Sequence, residues 1–178
     1  SSLNDKPKLA LHSCCGPCST YVLKYLTQYF NVTLLFYNPN IQPEAEYRKR
    51  LETQKIVCSE LGVTLVDFNY NTNEFLDAVK GLETEKEGGA RCTECFKLRL
   101  QQGADYAAKN GFDFFTTTLT VSPHKNAPLI NELGQGICEK VGVNWLPSDF
   151  KKKNGYKRSC ELSEKYGLYR QNFCGCEF

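Results

Sequence analysis

Two pairs of cysteines, Cys14-Cys15 and Cys92-Thr93-Glu94-Cys95, are the residues of this chain best suited to gripping a metal. The first pair lies in His12-Ser13-Cys14-Cys15-Gly16-Pro17-Cys18, and the second opens a helical pattern. Cysteines three apart at the start of a helix point the same way, and the N–H dipoles there favour thiolates. Adjacent cysteines on a strand-to-helix turn need not point to opposite faces. Brought together, four thiolates suit a tetrahedral zinc ion or a cubane iron–sulfur cluster. A vicinal pair is unusual for structural zinc, and the surplus of further thiols fits redox work. Both features lean toward the cluster, with zinc and no metal at all as the alternatives.

The other cysteines divide by context. Cys18 falls in the turn after Pro17 and faces the same mouth as the vicinal pair, which suits a ligand to a second metal or a proton donor. Cys174-Gly175-Cys176 is a dithiol whose disulfide would be strained and easily reduced; it suits electron relay or metal ligation, against a bland reading as reduced surface thiols. Cys58 and Cys138 sit in helical patterns beside apolar residues and read as core, while Cys160 is left open. His12 and His124 each stand alone, the usual setting of a structural histidine.

These residues must be positioned by strands and helices. The apolar patterning predicts strands at Lys8–Ser13, Val32–Tyr37, Val63–Phe68, Phe112–Thr117 and Val143–Leu146. Helices are predicted at Pro17–Phe30, Pro43–Leu61 with Gly62 as its cap, Asn73–Val79, Arg91–Lys109, Ala127–Val141 and Gly155–Tyr166. This alternation argues for an α/β fold, a parallel sheet sandwiched by helices. Such sheets keep their ligands at the carboxyl ends of the strands near the topological switch point, which is where Cys14-Cys15 follows the first strand.

Composition narrows the function. The chain has 178 residues, 41% of them hydrophobic and 12% aromatic, as expected of one folded domain spanning 1–178. It contains no Met and begins Ser1-Ser2, which reads as a processed or engineered start, so residues 1–7 are expected to be disordered. No apolar run approaches a membrane span and no signal core is evident, so ten cysteines read as reduced, cytoplasmic thiols rather than a disulfide framework. Residues 150–178 carry seven Lys/Arg against three Glu, a balance of +4 in a chain whose net charge is +2. This basic segment hints at a polyanionic partner, though a solvated helix face would look the same. Neither a Gly-x-x-x-x-Gly-Lys-Ser/Thr loop nor a Gly-x-Gly-x-x-Gly loop is present, which argues against ATP use and a bound dinucleotide.

At family level the chain resembles the QueH-type epoxyqueuosine reductases from about Leu9 to Cys176. The resemblance is carried by His12-Ser13-Cys14-Cys15-Gly16-Pro17-Cys18-Ser19, Phe36-Tyr37-Asn38-Pro39-Asn40-Ile41, Glu46-Tyr47 and Arg91-Cys92-Thr93-Glu94-Cys95. Thr116-Thr117-Thr118-Leu119 with Ser122-Pro123, and Gly167-Leu168-Tyr169-Arg170-Gln171-Asn172-Phe173-Cys174-Gly175-Cys176, complete it. The resemblance implies a fold similar to adenine-nucleotide α-hydrolase-like (HUP) domains without their ATP chemistry. It implies reduction of epoxyqueuosine to queuosine at the wobble position of tRNAs with GUN anticodons, fed by a low-potential electron donor. It makes Cys14, Cys15, Cys92 and Cys95 the ligands of a [4Fe-4S] cluster and Cys174 and Cys176 a redox-active pair. A second iron or other divalent metal beside the cluster is also associated with the family; members differ where this chain has Cys18.

For that reaction Cys18, Tyr47 and Asp149 are candidate proton donors. Arg48, Arg50, Arg99, Lys151, Lys152, Lys153, Lys157 and Arg158 are candidates for tRNA phosphates. Tyr37, Tyr47 and Tyr169 are candidates for stacking on anticodon bases. The competing readings are an iron–sulfur-dependent tRNA sulfurtransferase and a zinc-stabilised RNA-binding module without catalysis.

Overall fold

The structure is a computed structural model that describes residues 6–13, 16–41, 43–68, 73–84, 89–121 and 127–147. Five strands form one parallel sheet: β1 (Lys8–His12), β2 (Asn31–Phe36), β3 (Thr64–Asp67), β4 (Phe114–Thr117) and β5 (Asn144–Trp145). Five helices connect them: α1 (Gly16–Leu26), α2 (Glu44–Leu61), α3 (Asn73–Ala78), α4 (Ala90–Lys109) and α5 (Ala127–Val141). The strand order is β3-β2-β1-β4-β5. The chain thus moves outward from β1 to one edge, returns beside β1, and moves outward again. The switch point lies between β1 and β4, at the carboxyl end of β1.

Alternation along the central strands builds two cores. Leu9, Leu11, Leu34 and Phe36 face α1 and α2, packing on Val22, Leu23, Tyr47 and Leu51. Ala10, Leu35 and Phe115 face α4 and α5, packing on Phe96, Leu100, Ala104 and Ile130. A strand covered on both faces buries consecutive apolar residues, which is why Leu9–Leu11 and Leu34–Phe36 read as continuous runs. The expected α/β sandwich is therefore present, with shorter edges. β4 starts at Phe114 because the Phe112 N–H closes the end of α4 on the Ala107 carbonyl and the Asp113 carboxylate accepts the Lys8 N–H. α1 stops at Leu26 and four residues of turn follow. Gly62 caps α2 at φ 67°, the left-handed geometry that favours glycine.

Lys6 and Pro7, expected to be disordered, are tied down. Lys6 Nζ donates to the Thr27 carbonyl at 2.9 Å, and the Pro7 carbonyl accepts the Asn31 N–H at 2.9 Å. The predicted helix at Gly155–Tyr166 and the basic segment lie outside the described residues.

Helix α4 approaches the sheet closely at Gly103. A Cβ there would lie 2.5 Å from Cζ of Phe115, a ring fully enclosed between β4 and the helices. Gly103→Ala should therefore cost about 1–3 kcal/mol by overpacking, read as a lower denaturant midpoint with an unchanged slope.

Candidate active site

Helix α4 leads directly into β4, so it runs antiparallel to the strands and sets its first turn at their carboxyl ends. The first two turns of α4 carry Cys92 and Cys95, neither of them in a disulfide. Cys95 is buried against Phe75 and Val79 of the α3 region, and Cys92 is half-buried against the α4–α5 core. The amino end of a helix favours negative charge. Cys14 and Cys15 lie outside the described residues, but the segment leading to them is fixed in detail.

Ser13, the residue before Cys14, is held at three points. Its N–H donates to the Leu35 carbonyl at 3.1 Å, its carbonyl accepts Asn38 Nδ2 at 2.9 Å, and its hydroxyl donates to Gln54 Oε1 at 2.8 Å. Gln54 Nε2 in turn donates to the Ser19 hydroxyl at 2.8 Å. One fully buried glutamine of α2 therefore grips both flanks of the segment that contains Cys14, Cys15 and Cys18.

His12 completes the frame. Its Nε2 lies 3.0 Å from the Tyr37 carbonyl, which can only accept, so Nε2 carries the proton. Nδ1 then accepts from the Thr117 hydroxyl at 2.9 Å, and that hydroxyl accepts the Leu119 N–H at 3.2 Å. Burial, with the Arg99 guanidinium beside it, pushes the imidazole down to about 3. His12 is a neutral link between three strand ends, the structural role expected of a lone histidine.

Several residues expected at the site prove to be interior. Arg99, expected on tRNA phosphate, is 2% exposed and directs Nη1 to Asn38 Oδ1 and Nε to the Cys95 carbonyl, each at 3.5 Å. Arg50 is buried and paired with Glu46 at 2.9 Å. Tyr47, a candidate proton donor and stacking ring, packs on Phe36 and spends its hydroxyl on Asp67 at 2.8 Å. Tyr37 is buried against Phe68. In each case an inward-facing position on its helix or strand prevails over a side chain that usually reaches solvent. Arg48 is exposed and paired only with exposed Glu44, a bond weak enough to yield to phosphate.

Cys58 and Cys138 are core thiols as expected, and burial pushes them up to about 11 and about 12. Cys18 lies in the first turn of α1. Asp149, Lys151, Lys152, Lys153, Lys157, Arg158, Cys160, Tyr169, Cys174, Cys176 and His124 lie outside the described residues. Among the described residues no group of three or more His, Cys, Asp or Glu could hold a metal, and no helix is long and apolar enough to cross a membrane.

A family model described as "Epoxyqueuosine reductase QueH" matches residues 9–178. The chain belongs to the QueH family of epoxyqueuosine reductases. It is 44% identical over 182 residues to the epoxyqueuosine reductase QueH of Staphylococcus epidermidis, covering 98% of this chain and 76% of that one. With the Streptococcus pyogenes QueH it shares 45% identity, covering 97% of this chain and 70% of the relative. With the Thermotoga maritima QueH it shares 39%, covering 94% and 88%. The family match supports an oxidoreductase over a sulfurtransferase or a zinc-stabilised RNA-binding module. Among solved structures, the U34-tRNA thiolase NcsA from Methanococcus maripaludis with its [4Fe-4S] cluster superposes with a TM-score of 0.59 at 17% identity. That likeness covers 97% of this chain and 61% of the thiolase, and it is a likeness of fold. The expected α/β class, a parallel sheet sandwiched by helices, holds.

The sequence reading missed Asn38, Gln54 and the interior role of Arg99. A helical signal was present for one of them. Tyr47, Arg50, Leu51, Gln54, Val57 and Cys58 share the buried face of α2. A glutamine on that stripe requires a buried partner.

Proposed function

We propose that this chain reduces epoxyqueuosine to queuosine at the wobble position of tRNAs with GUN anticodons, using a [4Fe-4S] cluster held by Cys14, Cys15, Cys92 and Cys95. The observation that carries this is the family match over residues 9–178. The donor set fits the group. Cys92 and Cys95, in no disulfide, stand near the amino end of a helix at the carboxyl edge of the sheet, and in the sequence Cys14 comes two residues after β1. Bound there, the cluster would supply electrons singly at low potential.

The remaining chemistry falls to the chain's own groups. Removing an epoxide oxygen to leave an alkene takes two electrons and two protons and releases water. A reduced Cys174–Cys176 dithiol holds that complement and ends as a disulfide, which a low-potential donor restores. With Tyr47 committed to Asp67, Cys18 and Asp149 are the groups left to protonate the departing oxygen. Cys18 would also serve a second iron or other divalent metal. Arg48, Lys152, Lys157 and Arg158 would hold tRNA phosphates in the cytoplasm.

The test is anaerobic incubation of the reconstituted protein with an epoxyqueuosine-bearing anticodon stem-loop and a low-potential reductant. The nucleoside should become lighter by one oxygen atom. An unchanged nucleoside, or one heavier by sulfur, contradicts the reading.

A further inference from the structure

Arg99 lies on α4 one turn beyond Cys95 and is 2% exposed, although its side chain carries a permanent charge. Its Nε donates to the Cys95 carbonyl and its Nη1 to Asn38 Oδ1, each at 3.5 Å. Asn38 is itself 1% exposed and donates Nδ2 to the Ser13 carbonyl at 2.9 Å. The backbone of the second cysteine pair is thus joined, through one guanidinium and one amide, to the residue that precedes the first pair. The same guanidinium acts on His12, two residues before Cys14.

A charge held inside the protein is screened far less than one at the surface. At an effective dielectric of about 20, a unit charge roughly 10 Å away shifts an equilibrium by about tenfold. Each electron accepted by a thiolate-bound cluster adds one negative charge, which a fixed cation favours.

We propose that Arg99 is a positioning residue that ties the two cysteine-bearing segments together through Asn38 and, by its buried positive charge, raises the reduction potential of the centre they hold. This rests on the reading that Cys14, Cys15, Cys92 and Cys95 bind an iron–sulfur cluster. It removes Arg99 from the tRNA surface and gives it a role in electron transfer. Asn38 accepts from the guanidinium and bonds the Ser13 carbonyl with the same side chain.

The test is an anaerobic redox titration of the reconstituted protein, followed by electron paramagnetic resonance, for wild type, R99K, R99Q and N38D. R99Q should shift the reduction equilibrium at least tenfold toward the oxidised cluster, 59 mV for a one-electron couple. N38D sets a carboxylate against the guanidinium at nearly constant shape, and its potential should fall in the same direction. R99K keeps the charge, so its potential should stay within about threefold of wild type in the same equilibrium. A folded R99Q or N38D with the wild-type potential overturns the proposal. So does an R99K potential that falls as far as that of R99Q, which would mark a packing role alone. If R99Q does not fold, N38D decides. A wild-type protein that takes up no cluster defeats the cluster reading itself, an outcome distinct from cluster-bearing variants with an unmoved potential.

Discussion

Cys92→Ala should yield a folded protein that is colourless and inactive. Cys92 is half-buried on the first turn of α4, so losing its sulfur should change stability by no more than about 1 kcal/mol. Ala also suits a helix at least as well as Cys does. The chemical effect should be total, because a cluster with one thiolate removed is held weakly and exposed to solvent. Iron content and epoxide reduction should fall together. The control is Cys138→Ala, a thiol enclosed between α5 and the sheet and pushed up to about 12 by burial. That variant should lose about 1 kcal/mol or more of stability and keep its iron and activity. Thermal unfolding, iron assay and turnover on the same samples separate a ligand from a core cysteine. Full turnover by iron-free Cys92→Ala would remove Cys92 from the ligand set.

Gln54→Leu should damage the site from a distance. The leucine has nearly the volume of glutamine and belongs on the apolar stripe of α2 beside Leu51, Val57 and Cys58. It can make neither of the hydrogen bonds to Ser13 and Ser19. Each buried bond lost costs about 1–3 kcal/mol where its partner is left in the interior. The expected loss is about 2–4 kcal/mol, offset in part by better burial of the new side chain. Function should suffer more than stability does, because those two serines bracket Cys14, Cys15 and Cys18. Iron retained after anaerobic desalting should drop several-fold while the circular dichroism spectrum is preserved. Wild-type iron retention in a folded Gln54→Leu protein would show that the grip of α2 on the cysteine segment is dispensable.

The fold was largely legible because its signals are local or periodic. Ala127–Val141 is apolar at helical spacing and ends at Gly142, and the structure matches it residue for residue. Leu9–Leu11 of β1 and Leu34–Phe36 of β2 are continuous apolar runs because both faces are covered there. Edges were less legible. β5 holds only Asn144 and Trp145, because it pairs on one side, with β4. The frame around the cysteine segments was not legible. Cysteine pairs stand out by type and spacing, whereas Asn38, Gln54 and Arg99 act through contacts 25 to 61 residues apart in the chain. Arginine and tyrosine carry polar tips on long or broad apolar bodies, so type alone placed Arg50, Arg99, Tyr37 and Tyr47 at the surface. Their helical or strand phase places them inside.

The most direct measurement of the central claim is Mössbauer spectroscopy of protein enriched in iron-57 and purified without oxygen, comparing wild type with Cys14→Ser and Cys92→Ser. Wild type should show one cubane cluster per chain, and both variants, one from each pair, should lose it. A cluster that survives in either serine variant as it does in wild type, or an active wild-type protein that holds zinc in place of iron, would contradict the account.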